Sequence, residues 1–156
     1  MTTLPPIANR VARIKRGEDP QLIGKLPSGY AILSNQQPDA LTGCCMLLPD
    51  PTPAHLSDLK GDDRVQFLMG FAALGDAVMD ATGADRINYL MLCNQVPELH
   101  AHIVPRFDTE DPELRKLDPF AAYDFGQARR ADATGPDAEL LKKLQQSLAA
   151  RANITM

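Results

Sequence analysis

The segment between Asn94 and Phe107 constrains the fold and the chemistry of this chain more than any other. It reads NQVPELHAHIVPRF, and two of the chain's three histidines, His100 and His102, stand one residue apart in it. In a β-strand, side chains at i and i+2 point to the same face, so Glu98, His100 and His102 would form one polar row. The two imidazoles would lie about 6.6 Å apart along the strand, close enough for one substrate to contact both. The pattern therefore predicts a strand that carries a candidate active site.

Two other interpretations of these histidines remain open from the residues alone. A histidine in a strand is often half-buried and hydrogen-bonded without any chemical role. A His-x-His pair with a glutamate also supplies three side chains of the kinds that bind metal ions. The spacing does not separate a metal site from a catalytic one.

The rest of the pattern predicts short strands and two helices. Residues 1–12 are rich in proline and are interpreted as an N-terminal arm. Turn residues divide residues 13–49 into short strands, and apolar residues at helical spacing predict a helix from Asp62 to Met79. The remaining predicted elements are two central strands, Ile87–Cys93 and Leu99–Val104, and a last helix over Ala138–Ala150.

Length, charge and cysteine content narrow the functional class. A chain of 156 residues is expected to form one core, and its net charge of −4 with no long basic run argues against a nucleic acid as the main partner. No apolar stretch approaches the roughly 18 residues of a membrane span, and the N-terminus has no signal-peptide pattern. Three cysteines with no Cys-x-x-Cys spacing argue against a disulfide framework and favour a reducing cytoplasm.

The histidine segment resembles the signature of the histidine triad (HIT) family, His-φ-His-φ-His-φ-φ, in which φ is apolar and which often continues into Pro-Arg. On that pattern His100 takes the middle position, which is the family's nucleophile, and His102 takes the third. Glu98 stands where the first histidine is expected, so the chain departs from the triad there. The context from Val96 to His102 is similar to bacterial branches of the family with Gln at that position, of the kind that hydrolyses dinucleoside polyphosphates.

The resemblance extends over about four-fifths of the chain. The stretch from Ile14 to Pro20 resembles the family's opening Ile-x-x-Gly-Glu-x-Pro, and the strand before Asn35 resembles one that ends in Asn or Asp three residues before a proline. By this resemblance Asn35 would hold the ribose of a nucleotide and Asn94 would lie near its phosphate. Cys44 stands where the family often has histidine, which is a second departure.

The resemblance implies an α+β HIT-like fold, with an antiparallel sheet of about five strands, one long helix packed on it and a C-terminal helix. The implied segments are an arm (1–12), a HIT-like domain (13–125) and a C-terminal segment with a helix (126–156). The implied quaternary structure is a two-fold homodimer.

The implied function is hydrolysis or transfer of a nucleotidyl group through a covalent intermediate on His100. No metal is required, although Mg²⁺ would accompany a polyphosphate. Glu98 would either support the nucleophile as a carboxylate or repel the incoming phosphate. The alternatives are a nucleotide-binding module that has lost turnover and a metal-binding protein that uses Glu98, His100 and His102.

Overall fold

Five antiparallel strands form the central sheet of the computed structural model, which describes residues 3–151. Numbered in chain order, they are β1 (Leu22–Leu26), β2 (Gly29–Leu33), β4 (Cys45–Pro49), β5 (Arg86–Leu90) and β6 (Ala101–Arg106). Their order across the sheet is β1-β2-β4-β6-β5, so β1 and β5 lie at the two edges. Two short strands, β3 (Gln36–Gln37) and β7 (Arg129–Arg130), pair separately beside this sheet.

Helices cover both faces of the sheet. They are α1 (Pro6–Lys15), α2 (Gly61–Thr82), α3 (Pro112–Arg115), α4 (Pro119–Ala122) and α5 (Ala138–Arg151), with 3-10 turns at Asp39–Leu41, Leu56–Asp58 and Phe125–Gln127. The predicted fold class is confirmed, including the long helix, the C-terminal helix and the five strands. Within residues 3–151, no helix combines the length and the apolar character that a membrane crossing requires.

The main core lies between the sheet and the pair α2 and α5. Strand alternation sends Ala31 and Leu33 of β2 into this core, where they meet the buried faces of both helices. The helical contribution comes from Phe67, Leu74, Leu144 and Leu148, among others. Because α5 belongs to this core, residues 126–151 pack into the same unit as the segment before them.

Helix α1 covers the opposite face of the sheet. Its buried residues Ile7, Val11 and Ile14 recur at helical spacing and pack on Tyr30 and Ile32 of β2, among other residues. The proline-rich start was expected to be an arm over residues 1–12. In the structure a helix runs through that boundary, because Pro6 at its first position is compatible with helix initiation.

The register of β4 and β6 determines which face carries the histidine. Met46 pairs with His102, and Cys45 pairs with Ile103. Cys45 and Ile103 are buried in the core on the α2 side of the sheet, whereas Met46 packs against the apolar residues between α1 and the sheet. His102 therefore faces the side of the sheet that α1 only partly covers, and the site lies there.

Candidate active site

An open cleft of about 820 Å³ lies on this side of the sheet, between the loop that precedes β6 and the segment around α4. His100, His102 and Asn94 all line it. A smaller cavity of about 260 Å³ adjoins the cleft and includes Asn35 in its wall. The two cavities share His102 and Phe120 at their junction. The structure thus brings both histidines and both asparagines of the sequence analysis to one connected space.

His100 is held in a single tautomer by the backbone. Its Nδ1 lies 2.7 Å from the carbonyl oxygen of Glu98, and a carbonyl oxygen only accepts hydrogen bonds, so Nδ1 carries the proton. In the neutral ring the lone pair then resides on Nε2. His100 is only 8% exposed, and it lines the cleft. The Glu98 contact therefore uses Nδ1 and leaves Nε2 as the ring nitrogen that makes no bond to Glu98.

Cys93 fixes the backbone of the same histidine. The thiol donates to the carbonyl oxygen of His100 at 3.3 Å, and the His100 N–H points to the sulfur at 3.5 Å. Cys93 adopts a positive φ of 54°, which is uncommon for a residue other than glycine. No local sequence pattern indicates this contact.

His102 lies beside His100 and is partly buried. The two ring centroids are 5.1 Å apart with the planes at 77°, and Phe120 stacks edge-on against His102 with centroids 5.2 Å apart. Burial, and then the proximity of His100, lowers the pKa of His102 to about 4. His102 is therefore neutral at pH 7 and offers one N–H donor without a positive charge.

Glu98 does not stand in the polar row that the sequence suggested. Strand β6 begins only at Ala101, and Glu98 lines neither of the two cavities. Its carboxylate instead accepts hydrogen bonds from the backbone N–H groups of Ile7 and Ala8, both at 2.8 Å. These are unsatisfied donors in the first turn of α1, so Glu98 caps a helix that lies 90 residues earlier in the chain.

Asn35 lies in the wall of the smaller cavity. Its Oδ1 accepts from Arg10 Nη1 at 2.9 Å and from Gln21 Nε2 at 3.0 Å. An amide oxygen has two lone pairs, so these bonds occupy both, and the Asn35 NH₂ group remains for a ligand. Arg10 also forms an ion pair with the Asp19 carboxylate, which fixes the guanidinium.

A buried ion pair supports the outer wall of the cleft. The Arg106 guanidinium contacts both carboxylate oxygens of Glu110 and also the carbonyl oxygens of Leu114 and Leu117. Burial alone would raise the pKa of Glu110, but bonds from Arg106, from Tyr123 and from the Phe107 N–H outweigh it, and the pKa is lowered. Tyr123, which lines the cleft, donates to Glu110 at 2.7 Å.

Among residues 3–151, no group of three His, Cys, Asp or Glu side chains is arranged to hold a metal ion. Cys44, at the second departure from the HIT pattern, is buried, and this burial raises the pKa of its thiol to about 12. It is therefore an inert part of the core.

No protein-family model and no curated protein sequence matches the chain. Its structure is similar to three crystal structures described as histidine triad proteins. The one from Marinobacter aquaeolei VT8 has 20% identity and a TM-score of 0.67, and the match covers 96% of this chain and all of that chain. The one from Bradyrhizobium japonicum has 21% identity and a TM-score of 0.64, with 91% and 96% covered. The third, a hypothetical histidine triad nucleotide-binding protein from Sulfolobus tokodaii, has 16% identity, a TM-score of 0.67, and 90% and 91% covered. The chain therefore has the fold of the histidine triad proteins.

Proposed function

We propose that this protein is a HIT-family nucleotide hydrolase or nucleotidyl transferase, which cleaves a nucleoside phosphoanhydride or phosphoramidate through a nucleotidyl-histidine intermediate. The observation that carries the proposal is the hydrogen bond from His100 Nδ1 to the Glu98 carbonyl oxygen, which leaves the Nε2 lone pair of a cleft-lining histidine for attack. The fold and the His100–His102 spacing agree with it. A similar protein from Sulfolobus tokodaii is described as nucleotide-binding.

The reaction proceeds in two displacements at the α-phosphorus. In the first, the lone pair of His100 Nε2 forms a nitrogen–phosphorus bond, and the bond from phosphorus to the leaving group breaks. The leaving group keeps the electron pair and takes a proton from solvent. In the second, a water oxygen attacks the phosphorus and loses its proton to solvent, and the nitrogen–phosphorus electrons return to Nε2. A hydroxyl of another acceptor in place of water gives nucleotidyl transfer.

The Glu98 carbonyl has a role in both displacements. Once Nε2 carries the nucleotidyl group, the ring holds a positive charge and its Nδ1–H becomes a stronger donor. The carbonyl oxygen at 2.7 Å accepts that bond throughout, so it stabilises the intermediate as well as the tautomer. This role belongs to the backbone, and it does not require a histidine at position 98.

The remaining site residues would act on the phosphate and on the nucleoside. His102 is neutral and lies beside His100, where its N–H can stabilise charge on a non-bridging oxygen. Asn94 lines the same cleft, and the free NH₂ of Asn35 suits a ribose hydroxyl oxygen as acceptor. Mg²⁺ would enter with a polyphosphate substrate rather than as a resident cofactor. The metal-binding alternative gains no support, since α1 already engages the Glu98 carboxylate.

Steady-state hydrolysis of a dinucleoside polyphosphate and of a nucleoside phosphoramidate tests the proposal. We expect His100→Ala to lower kcat/KM by about 10⁴-fold, since it removes the nucleophile. His55→Ala is the matched control, because His55 is an exposed histidine outside both cavities. Residual activity of His100→Ala within about tenfold of wild type would refute the assignment. Nucleotide binding without turnover in the wild type would support the binding-module alternative.

We also propose that the protein is a cytoplasmic homodimer. Strand β5 is an edge of the sheet, and its Tyr89 is exposed. Val65, Leu68 and Met69 on α2 are exposed apolar residues. All three cysteines are free thiols, which suits a reducing compartment. Light scattering should give twice the chain mass for the wild type and one chain mass for Met69→Glu if α2 contributes to the interface.

A further inference from the structure

The carboxylate of Glu98 satisfies the N-terminus of α1, and this helix has no cap of its own. Pro5 at the N-cap provides no side-chain acceptor, and the first turn contains no acidic residue. The two hydrogen bonds of 2.8 Å from Ile7 and Ala8 to Glu98 therefore satisfy donors that would otherwise lack partners. A carboxylate at a helix N-terminus also interacts favourably with the helix dipole. Glu98 is 92% buried by this arrangement, being only 8% exposed.

The same residue contacts the proposed nucleophile through its backbone. Its carbonyl oxygen accepts the Nδ1–H of His100, and its own N–H donates to the Val96 carbonyl at 2.8 Å. Val96 packs against the apolar cluster beneath α1 and also lines the main cleft. The loop is therefore held at two points, through the Glu98 carboxylate on α1 and through the Val96 side chain in the apolar cluster between α1 and the sheet.

We propose that Glu98 is a positioning residue: its carboxylate fastens the loop before β6 to α1, and the docked helix holds the Glu98 carbonyl where it fixes the Nδ1–H tautomer of His100. The consequence for turnover rests on the proposed function. The carboxylate acts through α1 and does not touch the substrate. The carboxylate is directed at the backbone donors of α1 and lines neither cavity.

Three variants test this coupling. Glu98→Ala removes both bonds to α1 while keeping the backbone carbonyl. Ala8→Pro removes the donor of one of these bonds, because proline has no backbone N–H. Proline is tolerated in the first turn of a helix. Glu139→Ala is the control, since Glu139 is an exposed glutamate on α5.

The primary measurement is the tautomer of His100 in protein labelled with ¹⁵N-histidine, with His55 and His102 as internal references. In the wild type we expect Nδ1 to carry the proton in the neutral ring. In Glu98→Ala and, to a smaller extent, in Ala8→Pro, we expect a shift toward the Nε2–H form and a loss of amide-exchange protection over residues 9–15. Glu139→Ala should match the wild type.

The second measurement is the kinetic split on a nucleotide substrate. Misplacement of the nucleophile should lower kcat by about tenfold to a hundredfold with little change in KM. Should Glu98→Ala fail to fold, Ala8→Pro decides the question. The inference is overturned if α1 keeps its protection in the variants, or if protection is lost while the tautomer and kcat stay unchanged. If the wild type turns over no nucleotide, the proposed function fails, and the tautomer alone decides this inference.

Discussion

The lowered pKa of His102 has a consequence for stability that can be measured without any substrate. Its pKa falls from an ordinary 6.5 to about 4 in the folded protein, chiefly because burial disfavours the imidazolium. Between these two values the unfolded chain binds a proton at His102 and the folded chain does not. The free energy of unfolding must therefore fall as the pH is lowered through this window.

The size of the effect follows from the two pKa values. Linkage gives a loss of about 2 kcal/mol when the pH is lowered from about 7.5 to about 5. Urea unfolding at both pH values, for the wild type and for His102→Gln, isolates this contribution from other groups that titrate. Glutamine is close in size and does not titrate, so the wild type should lose about 2 kcal/mol more than the variant over this range.

Two further variants test whether His102 causes this pH dependence of stability. His55→Gln removes an exposed histidine and should leave the wild-type pH dependence in place. Phe120→Ala, which removes the ring stacked on His102, should raise the pKa of His102 toward 6.5 and reduce the loss. If the wild type and His102→Gln lose the same stability on acidification, His102 is not held neutral by burial.

Two further predictions concern the nucleoside contact and the cleft wall. On a nucleotide substrate, Asn35→Ala should mainly raise KM, because a ribose contact is equally strong in the ground state and the transition state. His102→Ala should mainly lower kcat, because a contact with the phosphate strengthens as charge develops on its oxygens. If both variants change only KM, the role of His102 is contradicted. Arg106→Met should cost about 3–5 kcal/mol in urea unfolding, because it leaves the buried Glu110 carboxylate without its partner. Arg115→Met, at an exposed arginine at the end of α3, should cost far less. A similar cost for both would show that the Arg106 network is not structural.

The features that the sequence predicts are those determined by local periodicity. Helix α2 was expected over Asp62–Met79 and spans Gly61–Thr82, where Gly83 adopts a left-handed φ of 72° just beyond its end. The predicted last helix over Ala138–Ala150 likewise spans Ala138–Arg151. Such features need no knowledge of distant partners.

The features that the sequence did not predict depend on distant contacts. The Glu98 carboxylate pairs with N–H groups of α1, and no local pattern shows a partner so far along the chain. The stacking of Phe120 on His102 likewise depends on how the segment after β6 folds back. Helix α1 is different, because the spacing of Ile7, Val11 and Ile14 was a usable helical signal that the neighbouring prolines obscured.

Trapping the intermediate tests the central claim most directly. Wild-type protein is mixed with a dinucleoside polyphosphate, quenched with alkali within a turnover, and digested for mass spectrometry. The account predicts a nucleotidyl group on His100, attached through nitrogen and lost on acid treatment, and no such adduct in His100→Ala. Turnover without any adduct on His100, or an adduct carried by His102 instead, would contradict it.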